Sequence, residues 1–197
     1  MQNCEITKVR IDTLINQFCS AIRGNSKKVY LILVVGLIVV NVAFIVNRAW
    51  VSDDSYITFR VVDNFLNGYG LTWNVNERVQ VFTHPLWVFS LSAMRVAINN
   101  TYIASIVTGI TLSTVTMVMF AVSERRNKGL ILGLILLGFS NAFVDYSTSG
   151  LENPLSHLFL LLFVVYFLRI SEKPSVVMGD KNLFLLSLLA CLGTLTR

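Results

Sequence analysis

Of the 197 residues, 54% are hydrophobic and only 14% charged, too little charge to coat a soluble domain of this size. The formal charge of +5 lies between apolar runs, not along one helix face with interleaved aromatics. That pattern excludes a nucleic-acid surface and sets orientation in a bilayer instead. Cys4, Cys19 and Cys191 form no CxxC pair and no Cys/His cluster, so they indicate neither structural zinc nor a disulfide framework.

Residues 1–28 are polar and basic, with Lys8, Arg10, Arg23, Lys27 and Lys28, and are weakly amphipathic around Ile11, Leu14, Ile15 and Phe18. They read as a cytoplasmic leader. Residues 29–46 carry no charge and predict a first span, anchored at the interface by Arg48 and Trp50. No small-x-small cleavage site follows, so the run is expected to be a retained anchor rather than a signal peptide. Further spans are expected near 103–122, 130–144, 155–168 and 183–197. The chain reaches Arg197 at the end of an apolar run with no polar tail, which leads us to expect a C-terminal truncation.

The external loop 47–102 contains Pro85 to Ile98, apolar but too short to span comfortably. Counting it as a span would put Arg125, Arg126 and Lys128 outside, against the positive-inside rule. As a helix lying along the interface it leaves the 123–128 and 169–181 loops cytoplasmic. The Asp53 region, the 145–152 loop and Arg197 then share the non-cytoplasmic face. The expected fold is therefore an all-α, multispanning membrane module over 29–197, with surface helices in its first external loop.

Two carboxylates, Asp53 and Asp54, directly follow the first span and precede a stretch where Ile57, Val61 and Phe65 recur at four-residue spacing. One acid suffices to cap a helix, and two adjacent ones repel. The second is free to take a proton from a hydroxyl or to ligate a divalent cation such as Mg2+, Mn2+ or Ca2+. Arg60 and Arg78 are candidates for a lipid phosphate, because a guanidinium binds one bidentately; headgroup contact is the plainer alternative. His84, held extended by Pro85, is a structural or surface group, or a substrate ligand. Glu152 and Pro154 suit the start of a helix, and Glu152 would share a membrane face with the Asp pair.

In this order the pieces resemble the GT-C superfamily of membrane glycosyltransferases, nearest its bacterial arabinosyltransferase-like and mannosyltransferase-like branches. The resemblance rests on Asp53-Asp54-Ser55-Tyr56-Ile57-Thr58-Phe59-Arg60, then Asn64, Gly68-Tyr69-Gly70-Leu71, Trp73-Asn74, Glu77-Arg78-Val79 and Thr83-His84-Pro85-Leu86-Trp87. The block from Gly150 to Leu155 and Thr196-Arg197 complete it. It implies a polyprenyl-phosphate sugar donor and an acceptor hydroxyl on a glycan, lipid or protein. It also implies residence among the lipids of a bacterial inner membrane, as part of the cell-envelope machinery. Asp54 or Asp53 would be the base, in some members beside a divalent metal. Glu152 and Arg197 would shape the site or bind donor phosphate. The later spans and C-terminal domain of such a protein are not in this sequence. Two other readings stand beside it: a non-enzymatic transport or assembly subunit, and an inactive truncated remnant.

Overall fold

A computed structural model describes residues 28–77, 79–123, 128–172 and 179–197. The basic leader up to residue 27 (with Cys4 and Cys19), Arg78, Arg125, Arg126 and Lys173 lie outside the described residues. All regular structure among the described residues is helical. The helices are α1 (Lys28–Asn47), α2 (Ser55–Leu66), α3 (Pro85–Ile98), α4 (Thr101–Ser123), α5 (Lys128–Phe139), α6 (Asn141–Tyr146), α7 (Asn153–Ser171) and α8 (Asp180–Thr194). The protein is an all-α membrane protein. Among the described residues three helices, α1, α4 and α7, are long and apolar enough to cross a bilayer.

The chain divides into two compact units, residues 1–37 and 38–197. Of the first, only the opening part of α1 is described, and most of its side chains are exposed and apolar. The second holds the core and every residue discussed below.

Within that unit α4 packs on α3 and α7, α7 on α8, and α2 on α3. Phe59, Val61 and Val62 of α2 meet Trp87, Val88 and Leu91 of α3, Ala104 of α4 and Leu155 of α7 in one buried cluster. The four-residue spacing in α2 marks a helix, but its three residues do not share one buried face: Val61 is buried, whereas Ile57 and Phe65 are exposed. Ser55, Thr58, Phe59, Val61 and Val62 form that face instead. A helix with an apolar surface on two sides gives no single stripe for periodicity to find.

The polarity of α4 is inverted relative to a soluble helix. Thr101, Ser105, Thr108, Ser113 and Thr116 are buried, while Ile103, Val107, Val115 and Val118 are exposed. Small residues on a span let neighbouring backbone come close. A Cβ at Gly109 would run into the carbonyl oxygen of Ser147. Asp63 fastens the three helices at their ends. Its carboxylate accepts from Arg95 Nε at 3.2 Å and from Thr101 Oγ1 at 2.7 Å.

The run expected as a single span over 130–144 is divided. Ser140 takes an extended conformation (φ −79°, ψ 102°) and its hydroxyl accepts from the Phe143 N–H, so α6 starts as a new helix. A serine competes for backbone in this way, favouring caps over helix interiors. Alone, α5 is 12 residues and α8 is 15. At 1.5 Å per residue, each falls short of a hydrocarbon core of about 30 Å.

Candidate functional site

Neither acid of the Asp pair caps α2 in the usual way. The first turn is closed by backbone: Ser55, Tyr56 and Ile57 N–H groups bond the carbonyls of Ser52, Asp53 and Asp54 at 3.1–3.2 Å. The Asp54 side chain makes no capping hydrogen bond. Among the described residues Asp53 Oδ1 accepts only locally, from the Asp54 N–H at 3.1 Å and the Ser52 hydroxyl at 3.3 Å. Both carboxylates are exposed. Since the helix start is satisfied without them, their charge is available to a ligand.

Glu152 behaves likewise at the start of α7. Its carbonyl takes the Leu155 and Ser156 N–H groups, and its side chain caps nothing. The carboxylate instead faces His84, with Oε2 3.7 Å from Nδ1. The other ring nitrogen, Nε2, lies 2.9 Å from the Thr58 hydroxyl. Burial pushes the His84 pKa below its ordinary 6.5, and the nearby Glu152 carboxylate opposes part of that shift.

The hydroxyl–imidazole–carboxylate order resembles a hydrolase triad, but Thr58 is only 2% exposed. A nucleophile must reach its substrate. Thr58 therefore holds the ring and does not attack anything.

The loop 147–150 seats Glu152. Ser147, Thr148 and Ser149 are almost fully buried. The Ser52 N–H donates to the Ser149 carbonyl at 2.8 Å and Trp87 Nε1 to the Gly150 carbonyl at 3.0 Å. Gly150 has φ +79°, and a Cβ there would sit 2.8 Å from the Cβ and Oγ of Ser55. Only glycine meets both demands without strain. Thus the residue after Asp54 packs against the residue two before Glu152, which sets both acids at one end of the bundle.

Arg197 arrives at the same end. The Leu86 N–H bonds the Leu195 carbonyl at 3.1 Å, and Ser156 and Thr196 share a hydrogen bond of 2.8 Å. The Arg197 side chain is exposed and lies at the rim of an apolar cavity of about 400 Å³ between α7 and α8, lined by Phe159, Phe163 and Leu189.

Arg60 has another task. Its Nε donates to the Trp73 carbonyl at 3.0 Å, one Nη to Asn74 Oδ1 at 3.1 Å, and its guanidinium lies 4.6 Å from the centre of the Trp73 ring. Asn64 Nδ2 adds bonds to the Thr72 and Trp73 carbonyls, and Asn74 Nδ2 donates to Glu77 at 2.9 Å. Arg60, Asn64, Trp73, Asn74 and Glu77 therefore form one staple holding the loop after α2. Arg78 lies outside the described residues.

Thr58 was not singled out from the sequence, since an isolated threonine inside a helix gives no signal. The Thr-His-Pro order upstream of Trp87 was visible, but its partner across 26 residues was not.

The Asp53 and Asp54 oxygens are hard donors of the kind that Mg2+, Mn2+ and Ca2+ prefer. Among the described residues no three His, Cys, Asp or Glu side chains are grouped to hold a metal. Two carboxylates alone do not make a cage of protein ligands for a cation.

No family model matches the chain, and no solved structure does. Over 130 residues it is 27% identical to the terminal β-(1→2)-arabinofuranosyltransferase of Corynebacterium glutamicum. The match takes in 57% of this chain and 18% of that protein, so the chain spans less than a fifth of the relative's length.

Proposed function

We propose that the chain belongs to a membrane glycosyltransferase, which moves a sugar from a polyprenyl-phosphate donor to an acceptor hydroxyl on a glycan, lipid or protein. The reaction would take place at the non-cytoplasmic face of a bacterial inner membrane. One observation carries this reading: Asp53, Asp54 and Glu152 open two helices at one end of the bundle without capping either with a side chain. The distant arabinofuranosyltransferase similarity supports glycosyl transfer as the chemistry.

In this reading Asp54 or Asp53 takes the acceptor proton as the hydroxyl oxygen attacks the anomeric carbon. The bond from that carbon to the donor phosphate oxygen breaks, and polyprenyl phosphate leaves with the electron pair. Arg197 would bind the phosphate by charge-assisted hydrogen bonds. A divalent cation, when bound at the Asp pair, would neutralise phosphate charge. The apolar surface of α2 and α3, with Ile57, Phe65, Phe89 and Val96 exposed, suits helices lying on a bilayer. That placement would bring a lipid-borne donor level with the acids.

The test is transfer from a radiolabelled polyprenyl-phosphate sugar by membranes carrying the full-length gene product. Glu152→Gln should reduce transfer about tenfold or more, because it removes a charge at the site. Unchanged transfer in that variant would remove Glu152 from the mechanism. A cysteine placed beside Asp54 should also react with a membrane-impermeant reagent from the non-cytoplasmic side. Labelling only from the cytoplasm would contradict the orientation.

A further inference from the structure

His84 has the Thr58 hydroxyl on one ring nitrogen and the Glu152 carboxylate beside the other, at 2.9 and 3.7 Å. These two neighbours together fix where its proton sits. Thr58 is buried, and its hydroxyl has no other hydrogen-bond partner among the described residues. A hydroxyl can donate or accept, so by itself it leaves the tautomer open. Glu152 does not leave it open. A lone pair on Nδ1 would face an anion, whereas an N–H there is attracted to it. Thr58 must then donate to Nε2.

We infer that His84 is a positioning residue for Glu152, with its proton on Nδ1 aimed at the carboxylate and its Nε2 held by Thr58. The inference deepens the transfer reading, because it says how the Glu152 carboxylate is oriented. The separation of 3.7 Å is longer than a hydrogen bond. Contacts of this kind commonly tighten when a substrate binds.

The surroundings support the assignment. The backbone is fixed on both sides of the ring: His84 sits at φ −116°, ψ 69° before Pro85, short of the extended conformation expected from the sequence, and the Leu86 N–H is tied to the Leu195 carbonyl. From α7, Glu152 is the charged group that faces the ring. From α2 the facing group is the neutral Thr58, while Arg60 is turned to the Trp73–Asn74 loop. Arg197, at the end of the segment bound to Leu86, has an exposed side chain. With its Nε2 lone pair engaged by Thr58, His84 is a poor metal ligand or general base, and those roles fall to other residues.

The chain has two histidines, His84 and His157, so 15N-histidine NMR of the full chain in lipid gives ring-nitrogen signals from two residues, assigned with His157→Gln. At neutral pH the His84 Nδ1 signal should appear at the protonated position and Nε2 at the unprotonated one. In Glu152→Ala the Nε2–H form should rise several-fold. In the transfer assay His84→Gln should lower kcat with little change in KM, and Thr58→Ser should restore the wild-type tautomer that Thr58→Val disturbs. A wild-type His84 protonated on Nε2, or a tautomer indifferent to Glu152→Ala, overturns the inference whether or not sugar is transferred. An Nδ1–H ring in a protein that transfers no sugar upholds the inference and removes the transfer reading alone. The wild-type spectrum decides the tautomer, so a variant that fails to fold leaves no gap.

Discussion

The two loops that frame the site are secured by different physics. The loop after α2 is held from outside, by Arg60 and Asn64 reaching over its carbonyls and by Asn74 bonding Glu77. These groups are exposed or half-buried, so water competes for each bond and its net worth is modest. The 147–150 loop is held from within. Its serines and threonine are buried, its carbonyls take the Ser52 and Trp87 donors, and the neighbouring helices approach too closely for a side chain at Gly150. The first loop is the more weakly held of the two, whereas the second is a firmly packed seat for Glu152.

Substitutions should separate the two. The largest effect is expected from Trp87→Ala, which empties a fully buried site in the α2–α3–α4–α7 core and removes the donor to Gly150. A loss of about 4 kcal/mol should appear in denaturant or thermal melts in detergent. A melt unchanged by that substitution would mean the 147–150 loop is not held from within.

Gly150→Ala comes next, at about 2–3 kcal/mol, since it combines a left-handed backbone with a clash against Ser55. A neutral result would show that the close approach to α2 is slack. Arg60→Ala should cost only about 1 kcal/mol. Its clearer readout is faster proteolysis within residues 70–77, with the 147–150 loop staying protected. If both loops opened together, the distinction between them would fail.

The smallest effect is in pH. His84 has a pKa below its ordinary 6.5, so between that lowered value and about 6.5 the unfolded chain binds a proton that the native one does not. Stability from this group is therefore fully present above pH 6.5 and falls as pH drops through the window. His84→Gln should flatten this part of the stability profile. An unaltered profile in that variant would assign the acid sensitivity elsewhere.

Much of the organisation was legible because it rests on strong local signals. Pro85 opens α3, and the helix closes at Ile98, where Asn99 turns left-handed (φ 50°). The helix starts after the Asp pair and before Pro154 were equally visible. The loop motifs were visible as residue types but not as work: Arg60 and Asn64 looked like ligand residues or signature positions, and they bind backbone eight to thirteen residues away. The clamp of Asp63, Arg95 and Thr101 and the pairing of Thr58 with His84 depend on tertiary approach, which no window of sequence contains. The buried face of α4 was hidden for a different reason. A span turns small polar residues inward and apolar ones outward, so hydrophobicity points the wrong way.

The most direct test of the account is sugar transfer from a polyprenyl-phosphate donor by the full-length protein with Asp53→Asn and Asp54→Asn, made separately. Neither carboxylate caps α2, so both variants should fold and leave the His84 spectrum intact. The account predicts that at least one of them loses about a hundredfold or more in kcat. Wild-type transfer in both would contradict it, because the acids at this end of the bundle would then have no part in the chemistry.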